Sequence, residues 1–260
     1  MNKLLKKALL IVDRGSREPE VRLELQNICS IAKRKARYDY TNYCFLEVVP
    51  PFIEEGIRKC VDSGADFITI MPYFLYPGMK LKDSVKQSAK IGQIKNVNIV
   101  ITKPLSYHTI VTDVVIDRIY QLKREHKIQF SDSECDILLI GHGSSDKCAR
   151  NAFIYTVNTL KPFYRNVNFC FLELDKPDIN EGIKNMVLQN DPKIILLVPY
   201  FLHNGTHIKY DVIMDVDEAL GKYRFKNVFI TKHLGVDEKL VDLIIERAKE
   251  VEKRRRIDLL

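Results

Sequence analysis

Three polar residues in the second half of this 260-residue chain stand where apolar runs end. His142 follows Asp136-Ile-Leu-Leu-Ile-Gly141, Glu173 follows Cys170-Phe-Leu172, and His207 lies beyond Ile194-Ile-Leu-Leu-Val198 and the turn that succeeds it. Two imidazoles and a carboxylate can hold a divalent transition ion while leaving coordination positions open, and they also supply bases that titrate near neutral pH. Each residue alone has a plainer reading. A histidine in Gly-His-Gly-Ser can cap the following helix or meet a phosphate at its N-terminus, and a glutamate after a strand can be the N-terminal charge of the next helix. Their recurrence at successive strand ends turns the reading towards function. His203, four residues before His207, has the spacing of a metal pair on one helical face, but Asn204 and Gly205 between them argue for a turn. It is expected as an outer residue that touches substrate, or else as a solvated loop histidine. His108, His126 and His233 are expected to be structural.

The elements that must position these groups are written twice. Ala8-Leu-Leu-Ile-Val-Asp-Arg14-Gly-Ser16 matches Asp136-Ile-Leu-Leu-Ile-Gly-His142-Gly-Ser144 at an offset of 128, and Cys44-Phe-Leu-Glu47 matches Cys170-Phe-Leu-Glu173 at 126. Pro72-Tyr-Phe-Leu75 matches Pro199-Tyr-Phe-Leu202 at 127, and Ile101-Thr-Lys103 matches Ile230-Thr-Lys232 at 129. Four blocks in one order at nearly one spacing mark an internal duplication. After Ser16 the apolar residues Val21, Leu25, Ile28 and Ala32 recur at helical spacing, as do Ala149, Phe153, Val157 and Leu160 after Ser144. Further helices are expected near 51–63, 81–91 and 108–124, and near 177–190, 208–220 and 237–255, with Gly64 capping the first of these.

Strands alternating with helices through short loops imply an α/β fold with parallel sheets and helices on both faces. Each half is therefore expected to be a four-stranded, flavodoxin-like lobe: residues 1–124, a polar linker at 125–135, and residues 136–260. In such open sheets ligands bind outside the carboxyl ends of the strands, where His142, Glu173 and His207 all fall.

The first half serves as a control. Arg14 stands at the place of His142 and Lys80 at the place of His207, while Glu47 remains. Arginine has no lone pair for a metal and lysine at neutral pH is an ammonium, so this half cannot repeat the same ligation. Arg14 and Lys80 are instead expected to face carboxylates of a bound ligand, with Ser144 and His203 as further substrate contacts.

The formal charge of +7 and a pI near 9.0 suit an anionic partner. No basic stretch is interleaved with aromatics, which argues against nucleic acid. The six cysteines are scattered without a Cys-x-x-Cys pair, so neither a zinc knuckle nor a redox pair is signalled. No apolar run approaches the ~20 residues of a membrane span and no cleavable leader is visible, so a cytoplasmic protein without membrane association is expected, as monomer or homodimer.

The blocks Gly141-His-Gly-Ser-Ser145, Phe171-Leu-Glu173 with Pro177, Pro199-Tyr-Phe-Leu202 with Gly205-Thr-His207, and Lys232-His-Leu-Gly235 resemble the class II tetrapyrrole chelatases of the sirohydrochlorin cobaltochelatase and ferrochelatase type. The resemblance implies two flavodoxin-like lobes around a cleft in which a metal ion enters a tetrapyrrole without ATP. It implies His142 and His207 as metal ligands that help remove pyrrole protons, and Glu173 as ligand or proton acceptor. The substrates would be sirohydrochlorin, an anionic tetrapyrrole, and a divalent ion, Co²⁺ or alternatively Fe²⁺ or Ni²⁺, with no prosthetic group. Long members of this type often carry the histidine pair in the first half; here Arg14 and Lys80 stand there, which moves the expected site to the second. Neutral imidazoles both deliver a weakly held ion and accept protons, so the residue chemistry agrees. Two other readings are a tetrapyrrole or metal carrier without turnover, and a histidine phosphatase. The second lacks the arginine that phosphate transfer wants beside its histidine.

Overall fold

The structure, a computed structural model, describes residues 5–95, 97–189, 191–205, 211–223, 225 and 227–257. Its regular elements alternate throughout. The first half runs β1 (Lys7–Asp13), α1 (Pro19–Ala36), β2 (Tyr40–Phe45), α2 (Ile53–Asp62), β3 (Phe67–Pro72), α3 (Met79–Lys95), β4 (Asn98–Ile101) and α4 (Thr109–Glu125). The second runs β5 (Asp136–Gly141), α5 (Lys147–Leu160), β6 (Asn166–Phe171), α6 (Ile179–Gln189), β7 (Ile195–Pro199), α7 (Ile213–Tyr223), β8 (Val228–Ile230) and α8 (Glu238–Ile257). Ser63 ends α2 and Gly64 follows it at φ 82°, the left-handed position a helix end requires.

Both sheets are four-stranded and wholly parallel, ordered β2-β1-β3-β4 and β6-β5-β7-β8. The central strands β1 and β5 are covered on both faces, which is why they read as unbroken apolar runs: every residue from Ala8 to Asp13 and from Asp136 to Gly141 is buried. Beneath α2 and α3 the first core gathers Leu10, Val12, Cys44, Ile57 and Ile70; beneath α6 and α7 the second gathers Leu138, Ile140, Cys170, Ile183 and Leu197. Each such aliphatic side chain contributes about 1.5–3 kcal/mol by leaving water. Gly56 and Gly182 let α2 and α6 sit close on these cores, since an added Cβ would come within 2.7 Å of the Cβ of Cys44 and of Cys170.

The compact units are not the sequence repeats. One unit comprises Met1–Ser106 with Val236–Leu260, the other Tyr107–Gly235, whereas the repeats divide the sequence into 1–124, 125–135 and 136–260. Repetition records how the chain was duplicated, whereas contacts record where an apolar face is buried. The last helix of each half is buried in the other half's unit. Helix α4 lays Val111, Val114, Val115, Ile119 and Leu122 on the unit of α5 and β7, and α8 lays Leu240, Val241, Ile244 and Ala248 on the unit of α1, β3 and β4.

Polar groups secure each exchanged helix. In α4 the buried Arg118 donates from Nε to the carbonyls of His233 and Leu234, both at 3.1 Å. In α8 the buried Arg247 donates to the carbonyl of Ser106 at 3.2 Å. At the far end of α8, Glu252 accepts from Lys7 Nζ (2.6 Å), Tyr38 Oη (2.7 Å) and Thr69 Oγ1 (2.8 Å). Of the histidines expected to be structural, the side chains of His108 and His126 serve the frame, and at 233 the backbone carbonyl does. His108 Nδ1 accepts the Ile110 amide at 3.2 Å to cap α4, the His126 ring packs on Phe229 at 5.1 Å, and the His233 carbonyl receives Arg118.

Candidate functional site

In the unit that holds residues 107–235, the hydrogen bonding of β5 to β6 runs on past the strand ends, by one residue on β5 and two on β6. The Leu172 amide donates to the Gly141 carbonyl (2.9 Å) and the Glu173 amide to the His142 carbonyl (3.0 Å). These two bonds zip the loop after β5 to the loop after β6. Gly143 completes the approach at φ 91°, where a Cβ would lie 1.7 Å from the Glu173 carbonyl oxygen. Only glycine fits there, both for its left-handed backbone and for the missing atom.

The consequence is a set pair of side chains: His142 Nε2 lies 3.1 Å from Glu173 Oε1. The other ring nitrogen, Nδ1, is 3.2 Å from the Gly143 carbonyl oxygen. Nδ1 thus faces a carbonyl and Nε2 stands at the carboxylate edge, where its lone pair would serve a divalent ion. The imidazole is 23% exposed and the carboxylate 49%, so the pair is sheltered yet reachable.

The surrounding turn is fixed by its own bonds. Ser144 Oγ accepts the Asp146 amide at 3.1 Å, and Asp146 Oδ1 accepts the Cys148 amide at 2.8 Å to start α5. Past Glu173, Leu174 takes a left-handed φ of 62° and is exposed. Arg150 of α5 lies over the Phe171 ring at 5.3 Å and forms an ion pair with Asp175, which ties the Glu173 loop to the helix. Asp178 and Glu181 exchange bonds at the start of α6: the Glu181 amide reaches Asp178 Oδ1 at 2.9 Å, and the Asp178 amide reaches Glu181 Oε2 at 3.1 Å. A hydrogen bond from Lys176, then those from the Glu181 and Asn180 amides, hold the Asp178 carboxyl below its ordinary value.

Of the groups expected from sequence, His142 and Glu173 are brought together. His203 is half-buried in the bend after β7. His207 lies outside the described residues. Among the described residues no group of three His, Cys, Asp or Glu side chains is disposed as a metal cage.

The first half carries the same frame around different side chains. The Leu46 amide donates to the Asp13 carbonyl (2.8 Å) and the Glu47 amide to the Arg14 carbonyl (3.1 Å). Gly15, at φ 103°, leaves room that a Cβ would fill 2.3 Å from the Glu47 carbonyl oxygen. Arg14 and Lys80, expected to face a ligand, both reach Glu47: Arg14 Nε lies 3.0 Å from Oε1 and Lys80 Nζ 2.6 Å from Oε2. Partial burial works to raise the Glu47 carboxyl, but the hydrogen bonds from Lys80 and Arg14 outweigh it and hold the group below its ordinary value of 4.5.

Two positioning features escaped sequence reasoning. The need for glycine at 143 follows from a backbone approach that no pattern encodes. Arg150, in contrast, has a visible twin: Arg22 stands 128 residues earlier, lies over Phe45 at 5.3 Å and donates to the Pro50 carbonyl at 2.6 Å. The repeat could have singled out both arginines.

A family model described as CbiX matches the chain twice, over residues 8–122 and 136–251. A sirohydrochlorin cobaltochelatase of Priestia megaterium is 26% identical over 253 residues, covering 94% of this chain and 79% of that protein. A sirohydrochlorin ferrochelatase of the same organism is 25% identical over 246 residues, covering 93% and 89%. In fold, SirB from Bacillus subtilis, solved with Fe³⁺, superposes with a TM-score of 0.80 at 23% identity, covering 95% of each chain.

Proposed function

The chain belongs to the CbiX family, and from that premise we propose that it is a sirohydrochlorin chelatase whose second half inserts the metal. The observation that carries this reading is the His142–Glu173 pair, 3.1 Å apart and held by the Gly143 turn. Where the first half repeats that turn, it has no imidazole. Relatives named for both cobalt and iron insertion support the substrate, and cobalt is the ion proposed, with iron second and nickel third. Imidazole and carboxylate donors suit all three.

Insertion replaces two pyrrole N–H protons by a divalent ion. His142 Nε2 and His207 hold the ion weakly enough to hand it on. As it departs, the two pyrrole protons pass one to the Nε2–Glu173 edge and one to the freed His207 imidazole, from which water removes them. No nucleotide is required by this exchange. In the second half the Ser144 hydroxyl and His203 are the contacts for substrate carboxylates; in the first half that role falls to Arg14 and Lys80, whose two cations exceed the single charge of Glu47. No described helix is long and apolar enough to cross a membrane; a cytoplasmic location is part of the proposal.

An anaerobic absorbance assay tests this: sirohydrochlorin with Co²⁺, Fe²⁺ or Ni²⁺ in turn, for the native protein, His142→Ala and His207→Ala. The expected result is acceleration over the spontaneous rate that both variants lose, and the ranking of ions names the metal. Native rates in both variants overturn the placement of the site. Bound tetrapyrrole without acceleration by any ion replaces the enzyme with a carrier.

A further inference from the structure

The Arg14–Glu47–Lys80 cluster has the geometry of a site whose cation is supplied by the chain itself. We infer that the first half takes up no divalent ion, and that it keeps the backbone of a metal site which two substitutions reopen.

The frame carries the first part of the argument. An ordinary surface ion pair needs two side chains of opposite charge and nothing else. Here the pair sits on a zipped double loop with a left-handed glycine, Gly15, admitted against the Glu47 carbonyl, and the same construction holds His142 to Glu173. Arg14 Nε meets Glu47 Oε1 at 3.0 Å, as His142 Nε2 meets Glu173 Oε1 at 3.1 Å. The carboxylate and its distance are retained, and only the donor type has changed.

The second part is charge. Arg14 and Lys80 offer hydrogens and no lone pair, so neither ligates a metal. Together they occupy both oxygens of Glu47, and the cluster carries one net positive charge. A divalent ion would have to expel the Lys80 ammonium from a 2.6 Å contact against that charge. Both cations are nevertheless about half exposed, at 48% and 45%, which leaves their side chains accessible to exchange for imidazoles.

Counting bound Co²⁺ by equilibrium dialysis, with the cobalt absorption bands as a second readout, tests both parts on the full chain. Glu47→Gln is expected to bind as many ions as the native protein. Arg14→His with Lys80→His is expected to bind one more, to keep it when His142→Ala is added, and to lose it when Glu47→Gln is added. A site lost from the otherwise native chain by Glu47→Gln overturns the inference, because the first half then already holds metal. So does an unchanged ion count in the double-histidine variant with a native thermal transition. The inference rests on the second-half reading only for the identity of the ligand positions. If the native protein binds no ion while the double-histidine variant gains one, the second-half reading fails and this one stands.

Discussion

The two loop pairs beyond β1/β2 and β5/β6 share one backbone and differ in what it presents. In each, two interloop amide bonds, a left-handed glycine and an arginine stacked on the last aromatic of the second strand bring a glutamate beside the residue before the glycine. In the second half that residue is a half-sheltered histidine; in the first it is an arginine, joined by Lys80. The interiors behind them diverge as well. Gly141 leaves room for Phe153, whose ring would meet an added Cβ at 2.9 Å and which packs on Phe169, Phe171 and Tyr200. Asp13, at the place of Gly141, instead accepts the Gly15 amide at 2.8 Å. The frame is thus separable from the chemistry: hydrogen bonds and glycines build it, and a very few side chains decide whether it holds an ion or a salt bridge.

The widest separation of the halves is expected in turnover. His142→Ala lowers kcat/KM by roughly 100-fold or more with an unchanged thermal transition. Lys80→Ala weakens tetrapyrrole binding, raising KM by about 2–10-fold while kcat stays within about twofold. Steady-state kinetics on both variants reads the contrast, and a kcat collapse in Lys80→Ala would erase it.

Next in size is the frame itself. Gly143→Ala forces a Cβ towards the Glu173 carbonyl in a left-handed backbone, and Gly15→Ala does the same beside Glu47. Each is expected to cost about 1–3 kcal/mol in denaturant unfolding. The cost is greater at 143, where the approach is 1.7 Å against 2.3 Å. Only Gly143→Ala should lower kcat, since it alone displaces the histidine–glutamate pair.

A smaller contrast lies in acid. Burial works to raise the Glu252 carboxyl, yet the bonds from Lys7, Tyr38 and Thr69 prevail and hold it below 4.5. A carboxyl depressed in the folded state stabilises above its unfolded value and loses that contribution as pH falls through the folded one. Thermal stability of the first unit should therefore decline below about pH 4.5. Glu252→Gln should flatten that decline while lowering stability at pH 7. The α4 residue at the corresponding place is Lys123, bonded to Asp132 at 2.6 Å, so the other unit lacks this particular source of acid sensitivity.

Smallest is the surface cluster. Glu47→Gln removes a solvent-screened pair of ion contacts and should cost less than about 1 kcal/mol at pH 7. The difference should vanish as the pH falls through the depressed Glu47 value.

Most of the frame could be read in advance because it is local. Buried parallel strands must be apolar, helices between them must repeat every three to four residues, and the duplication checks each element against its twin. Helix ends expected at 51–63 and 177–190 fall at Ile53–Asp62 and Ile179–Gln189, and those at 108–124 and 237–255 at Thr109–Glu125 and Glu238–Ile257. His142 and Glu173 could be nominated together because both end strands of one sheet. The partner of Arg14 and Lys80 could not be nominated in the same way, since a cation at a strand end serves a ligand or a neighbouring carboxylate equally well until the loops are placed.

By itself the sequence determined the duplication, the parallel sheets and the half that keeps imidazoles, because composition and period are properties of neighbouring residues along the chain. Only the tertiary structure decided that α4 and α8 are exchanged between units, that Gly143 must let the loop meet Glu173, and that Glu47 takes both cations. Each of these depends on atoms brought within a few ångströms across 30 or more residues of chain, where sequence spacing no longer fixes distance.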